Sequence, residues 1–388
     1  MLKQNQITIR KFFLCIITLI MLATLRCKKA YVPAAIQANN NFLVVDGVIN
    51  TGANATTTIN LNRSVNLTDT STKGIPELNA QVSIVSSGGT IYPLTDSANN
   101  GIYISASLNL DINQKYSIAI TTSNGHKYSS DFVEVKQTPT IDSLYWDQPN
   151  DFNVYVNTHD ANNKTIYYRW DYIETWEHDA QLQTAWGVKN GLIFPVDSIT
   201  QTTQCWTTLT SSTITLGSTA NLSQDIINKQ LINTIPNGDL RLYDKYSILV
   251  RQYALTEDAY NYWSIIQKTS QKLGGLFDLQ PSQLSGNIHS LTNPNEPVIG
   301  FASASSIQQQ RLFIFYTNLS NWQHTAIEYT CDTIAIPVNQ TDYRIYNYPD
   351  TLYAPWYFIT NGPLIIASKI CLDCTLFGGS NVKPSYWQ

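Results

Sequence analysis

Four cysteines in the second half of the chain are the residues whose type and spacing first suggest chemistry. Cys371 and Cys374 stand in "CLDC", while Cys205 and Cys331 are each alone in their stretch. CxxC spacing suits a redox pair or half of a zinc site. Zinc would ask for a second close pair, which Cys205 and Cys331 do not make. A thioredoxin-type pair would open a helix, whereas this one runs into "TLFGGSNVKP", which reads as a turn. In an oxidising compartment the four are expected as two disulfides, for which three connectivities exist. The preferred pattern ties the C-terminal tail back to Cys205 and Cys331. In the chain-entropy model each such bridge contributes roughly 3–5 kcal/mol. No metal and no cofactor is expected.

A second constellation is "ETWEHDA", which gathers Glu174, Glu177, His178 and Asp179. At a strand end entering a loop such residues are solvated charges by default; the alternative is a metal or an acid/base pair. The histidines at 126, 159, 178, 289 and 324 are scattered, and no HExxH, GxSxG or GxxxxGK[ST] occurs. No catalytic residue is therefore assigned.

The third is "VRQYALTEDAYNYW", dense in Arg251, Tyr253, Tyr260, Tyr262 and Trp263. If Arg251 turns inward, a carboxylate such as Glu174 or Glu257 must pair with it, making a clamp between strand and helix. If it faces a groove, it binds a carboxylated ligand through its two-pronged guanidinium. The clamp is the preferred reading, with Arg251, Tyr253, Glu257 and Trp263 as the residues of interest.

These residues need elements to hold them. "KYSILVRQYAL" alternates as a strand with Tyr246, Ile248, Val250 and Gln252 on one face. Thr256 is a good N-cap, Glu257 and Asp258 suit the positive end of a helix dipole, and Gly274-Gly275 supplies the stop. Ala259, Trp263 and Ile266 recur at helical spacing, which predicts one long amphipathic helix over about 257–272. "KTIYYRWDYIETWEHDA" predicts a long strand with Tyr168, Trp170, Tyr172 and Glu174 on one face and Arg169, Asp171, Ile173 and Thr175 on the other. "NLSQDIINKQLINTI" reads as a helix capped by Ser223, with Ile226, Ile227, Leu231 and Ile232 on one stripe. "PVIGFASASSIQQQRLFIFY" reads as a strand in a hairpin with what precedes it.

Upstream, short β-branched and aromatic runs between "SSGG", "SANNG" and "SNG" turns predict a β-sandwich over 41–137, immunoglobulin- or transthyretin-like. "TPTIDSLYW" reads as a linker into a mixed, mainly β domain with some α over 138–388. Residues 1–27 carry basic residues at 3, 10, 11 and 26, no acid, and an apolar run from Phe12 to Leu25. Such a run is short for a membrane span and suits a signal segment. A cysteine directly after it marks a lipoprotein, lipidated on Cys27 and held to a membrane by acyl chains. Arg26 takes the place where a small residue is usual. Residues 28–40 read as a tether. Only 13% of residues are charged and the formal net charge is −4, which disfavours a nucleic-acid partner.

The lipoprotein-type start, "RWDYIETW", "YSILVRQYALTEDAYNYWSIIQK", "GGLFDLQPSQLSGNI", "NEPVIGFASAS" and "CLDCTLFGGSNVKPSYW" together resemble the family called domain of unknown function 4249, found in Bacteroidota. The resemblance implies an outer-membrane-associated lipoprotein, often accompanied by a TonB-dependent receptor. It supplies no catalytic residue. The expected function is a non-enzymatic binding or accessory lipoprotein working with such a receptor in nutrient uptake, its aromatics suiting a peptide or glycan. The alternative is an envelope hydrolase using acids such as Glu174, Glu177, Asp258 and Asp278, or a metal.

Overall fold

Leu43, Val45 and Ile49 alternate with Val44, Asp46 and Val48 in the first strand, so one face is all apolar and the other is mixed. That strand belongs to two parts of the molecule at once. The computed structural model describes residues 41–65, 74–189, 192–197, 201–271, 286–323, 330–337 and 352–388. The signal segment with Cys27, the tether, Gly274-Gly275, Asp278 and His324 lie outside the described residues.

The first strands are β1 (Leu43–Asn50), β2 (Thr58–Arg63), β3 (Ile75–Pro76), β4 (Gln81–Ser86), β5 (Ile91–Thr95), β6 (Ile102–Ser105), β7 (Lys115–Thr121), β8 (Lys127–Ser130) and β9 (Val133–Lys136). Then come β10 (Ile141–Asp147), β11 (Phe152–His159), β12 (Tyr167–Asp179), β13 (Trp186–Lys189), β14 (Leu192–Pro195), β15 (Gln204–Thr210), β16 (Thr215–Ser218), β17 (Ile226–Ile235) and β18 (Lys245–Leu255). Helix α1 (Glu257–Gln271) follows. β19 (Ile288–Ser290), β20 (Ile299–Gly300), β21 (Ala304–Ser305), β22 (Gln308–Phe315), β23 (Thr333–Ile336), β24 (Tyr353–Phe358) and β25 (Leu364–Ser368) complete the set. The protein is mainly β, as its sequence predicts.

The sandwich expected at the N-terminal end closes instead into a barrel. β7, β4, β5, β6, β2, β1, β21 and β9 follow one another around a ring that returns to β7. Eight staves enclose a space just wide enough for side chains to fill, here Leu43, Val45, Ile59, Leu61, Ile84, Tyr103, Tyr116 and Ile118 among others. Closure was hidden because β21 arrives from far along the chain and pairs parallel to both β1 and β9. β20 likewise joins β1, and β19 extends β8. The sheet thus draws on residues well beyond 137. The incoming segment needs two glycines. A Cβ on Gly286 would fall 1.7 Å from the Gly300 carbonyl oxygen, and one on Gly300 would fall 2.3 Å from that of Val45. Asn287 then clasps Ala302, accepting from its N–H at 2.7 Å and donating to its carbonyl at 2.9 Å.

The second half holds two sheets face to face. β15, β12, β18 and β22 form one, with β16 also on β12; β10, β11 and β17 form the other. Phe152, Val154 and Val156 of β11 share a core with Tyr168 and Trp170 of β12 and Tyr246, Ile248 and Val250 of β18. Three expectations change here. The linker is strand β10, paired with β11. The helix expected around 226–235 is strand β17, because β11 offers its backbone and β-branched isoleucines suit a pleated surface. Lys229, at φ 54°, lies where the register slips, so no helical stripe is needed to bury Ile227, Ile232 and Ile235. The "PVIGFASAS" strand forms no hairpin with its predecessor. Its pieces β20 and β21 go to the barrel, and β22 pairs with β18.

Two disulfides join Cys205 to Cys374 and Cys331 to Cys371, spanning 169 and 40 residues. Loop lengths of that order constrain the unfolded chain by about 5 and about 4 kcal/mol. The bridged tail then lies on the outer face of the sheet. Tyr386 bonds Thr175 at 2.8 Å, the Trp387 indole N–H donates to Glu177 at 2.8 Å, and Lys245 donates to the Gln388 carbonyl.

Candidate functional site: a cleft between barrel and sheet

The odd positions of β12 that do not enter the core bring Arg169 and Asp171 to its outer face. β18 sets Tyr253 directly opposite Arg169 and Arg251 directly opposite Asp171, so the four side chains share one face. Arg251 Nε donates to Asp171 Oδ1 at 2.5 Å, and Arg169 Nη2 lies 3.6 Å from Asp171 Oδ2. The Arg169 guanidinium is sandwiched between rings, 4.6 Å from the centre of Tyr253 and 4.3 Å from that of Trp263. Such cation–π contacts contribute roughly 0.5–2 kcal/mol each.

Trp263 comes from α1, and the local sequence explains how. Thr256 Oγ1 accepts from the Ala259 N–H at 3.2 Å, capping the first turn. Buried Ala259 packs with Tyr253, Leu255 and Val48. Val48 belongs to the outer face of β1, so the helix joint is fastened to the barrel wall.

Between these walls lies a cavity of about 700 Å³, within the range of roughly 300–1,000 Å³ usual for small-ligand sites. Val44, Asp46, Thr58 and Asn60 line it from the barrel; Arg169, Asp171, Arg251, Tyr253 and Thr210 at the end of β15 from the sheet; Tyr262, Trp263 and Ile266 from the helix; Ser211 to Ile214 and Phe301 from loops. Asp46 is exposed, with the Asn60 amide 3.5 Å away. The side chains of Arg169, Asp171 and Arg251 are 11%, 18% and 29% exposed, so they are drawn out of bulk water without being sealed. Burial works against the Arg251 charge, but Asp171 and then Tyr253 outweigh it and hold its pKa above the usual value. Burial pushes the Tyr253 hydroxyl up, and pushes that of Tyr262 up to about 12. Both stay neutral donors at physiological pH.

Two polar atoms of the cleft wall have no partner among the described residues. They are Arg169 Nε and the Trp263 indole nitrogen, both sealed from solvent, so a ligand in the cavity does not reach them. Unpaired buried donors are costly and uncommon. Arg251 spends only its Nε on Asp171; its two terminal nitrogens make no hydrogen bond to a described residue.

Arg251, Tyr253 and Trp263 therefore meet in one cleft, while Glu257 is exposed on the first turn of α1 and pairs with none of them. The carboxylate that meets Arg251 is Asp171. Glu174 instead takes Arg241, at 3.0 and 3.1 Å to its two oxygens, with the Tyr246 hydroxyl at 2.8 Å. Glu177 accepts from Trp387 and Gln204, and His178 bonds Thr207 at 2.9 Å. Asp179 ends β12, its pKa raised to about 6 by burial first and then by Asp244 and Glu177. Asp258 is exposed. Among the described residues no group of three His, Cys, Asp or Glu side chains could hold a metal ion. Sequence reasoning missed Arg169, Asp171 and Asp46 as site residues. The alternation of β12 had placed the first two on one face; their register against β18 was the missing part.

The fold and cleft define a class first: a β-barrel joined to a pair of facing sheets, with an arginine- and aromatic-lined cleft at the joint. The family model of DUF4249, a domain of unknown function, matches residues 28–311, and the chain belongs to that family. No curated protein matches it. Among solved structures, a DUF4785 family protein from Legionella pneumophila is 12% identical with a TM-score of 0.21, covering 54% of this chain. The chain spans about half of that structure (52%), and the likeness carries no argument about function.

Proposed function

We propose that the protein is a non-enzymatic binding component of the cell envelope, with the cleft between barrel and sheet as its ligand site. In this reading acyl chains on Cys27 hold it to the outer membrane, and a TonB-dependent receptor receives what it binds. The observation that carries the reading is the convergence of Arg169, Arg251, Tyr253 and Trp263 on one cavity of about 700 Å³. Directional donors and rings in a half-dry cleft fix a ligand's orientation. Of the acids named for a hydrolase, Glu174 is committed to Arg241 and Glu177 to Trp387.

The test is affinity purification of the chain from detergent-solubilised outer membranes, read by mass spectrometry for proteins and for small molecules released on denaturation. A stoichiometric TonB-dependent receptor is expected, together with a released molecule missing from Trp263→Ala. Recovery without a receptor sinks the accessory role. A released set unchanged by Trp263→Ala sinks the cleft.

A further inference from the structure

We infer that the cleft holds a short peptide by its free carboxylate, with the Arg251 fork as the carboxylate anchor and Asp46 facing the peptide's donor groups. The inference rests on reading the cleft as a ligand site and names what it would take.

Three observations point this way. Asp171 occupies Arg251 Nε and leaves the terminal pair of nitrogens without a bond to any described residue, which is the end of a guanidinium that matches a carboxylate with two parallel hydrogen bonds. One carboxylate, Asp171, faces two guanidiniums, since Arg169 is also within 3.6 Å of it. Across the cleft, Asp46 supplies a negative pole on β1, close enough to act on the Arg251 charge. A ligand carrying a carboxylate at one end and amide or ammonium N–H groups beyond it meets both poles; a simple anion meets only one.

The aromatic wall argues against a neutral glycan. Sugars are held by open ring faces, and Tyr253 and Trp263 each have a face covered by Arg169. What these rings do is fix the guanidinium in place. Asn60 and the hydroxyls of Thr58 and Thr210 offer further partners for a peptide backbone.

The experiment incubates the full chain with two pools of random tetrapeptides, one with free C-terminal carboxylates and one amidated, and reads retention by mass spectrometry. Free acids are expected to be retained about 10- to 100-fold better, the range a charge-assisted pair of hydrogen bonds contributes. The preference is expected to vanish in Arg251→Gln, where Arg169 still faces Asp171. Equal retention of both pools, lost in Trp263→Ala, overturns the carboxylate anchor and leaves the cleft standing. Retention of neither pool overturns the peptide inference. If the chain then still releases a native molecule that Trp263→Ala lacks, the cleft reading survives; if it releases none, both fall.

Discussion

Glu174 and Asp171 lie three residues apart on β12 and so project from opposite faces of the same sheet. Each meets an arginine. On the inner face Glu174 is buried and accepts from Arg241 and from Tyr246, with the Asn233 amide at 3.4 Å. Arg241 spends its remaining nitrogens on Asp239, at 3.0 and 2.8 Å. Every charge there has a protein partner. On the outer face Asp171 and Arg251 share one hydrogen bond, Arg169 lies over two rings, and the terminal nitrogens of Arg251 bond no described residue. A saturated cluster is a clamp; an unsaturated one beside a cavity is what the proposed ligand site requires. The sequence offers a clamp and a ligand anchor for Arg251 alone; the saturated cluster is built on Arg241 instead.

The sharpest way to break this comparison is Arg241→Met. It leaves Glu174 charged and enclosed, a change that costs about 3–5 kcal/mol for a buried pair. Urea unfolding curves give the number. A loss under about 1 kcal/mol would mean that the inner cluster is not holding the sheets together.

Acid should separate the two faces further. Burial acts to raise the pKa of Asp239, but its hydrogen bonds from Arg241 prevail and lower it below the usual carboxylate value. A folded-state pKa below the unfolded one means the unfolded chain binds the proton more readily. The associated stability is present above the unfolded value, near about 3.9, and is lost as pH falls through the folded one. Asp239→Asn should therefore flatten the fall of the urea midpoint between pH 5 and pH 2. Parallel curves for the two chains would remove Asp239 from the clamp.

The sequence carried the elements of this comparison better than their assembly. The period of two in "YYRWDYIET" separated Trp170 and Glu174 from Arg169 and Asp171 correctly, and Thr256 and Ala259 announced the helix. Register was not legible, because nothing local states that Asp171 stands opposite Arg251. Closure of the barrel was illegible for the same reason, since β21 reaches β1 from more than two hundred residues away. β17 misled because its isoleucines fit a helical stripe as well as a strand, and only β11 decides between them. Arg241 drew no notice in a turn-rich stretch, yet Asp239 caps the short 3₁₀ turn that aims it at Glu174.

The smallest effect expected is the one that matters most for the open face. Arg251→Met should change stability by no more than about 1 kcal/mol, the range of partly exposed ion pairs. Arg251 and Asp171 are 29% and 18% exposed, and Asp171 keeps Arg169 within 3.6 Å when Arg251 is gone. The same substitution should abolish the preference for peptide carboxylates. Stability nearly kept and binding lost is the signature of a residue held for its ligand. A loss as large as that of Arg241→Met would place both arginines in one class. The cavity would then be a gap left by joining a barrel to a sheet, and the leftover donors of Arg169 and Trp263 a cost of that joint.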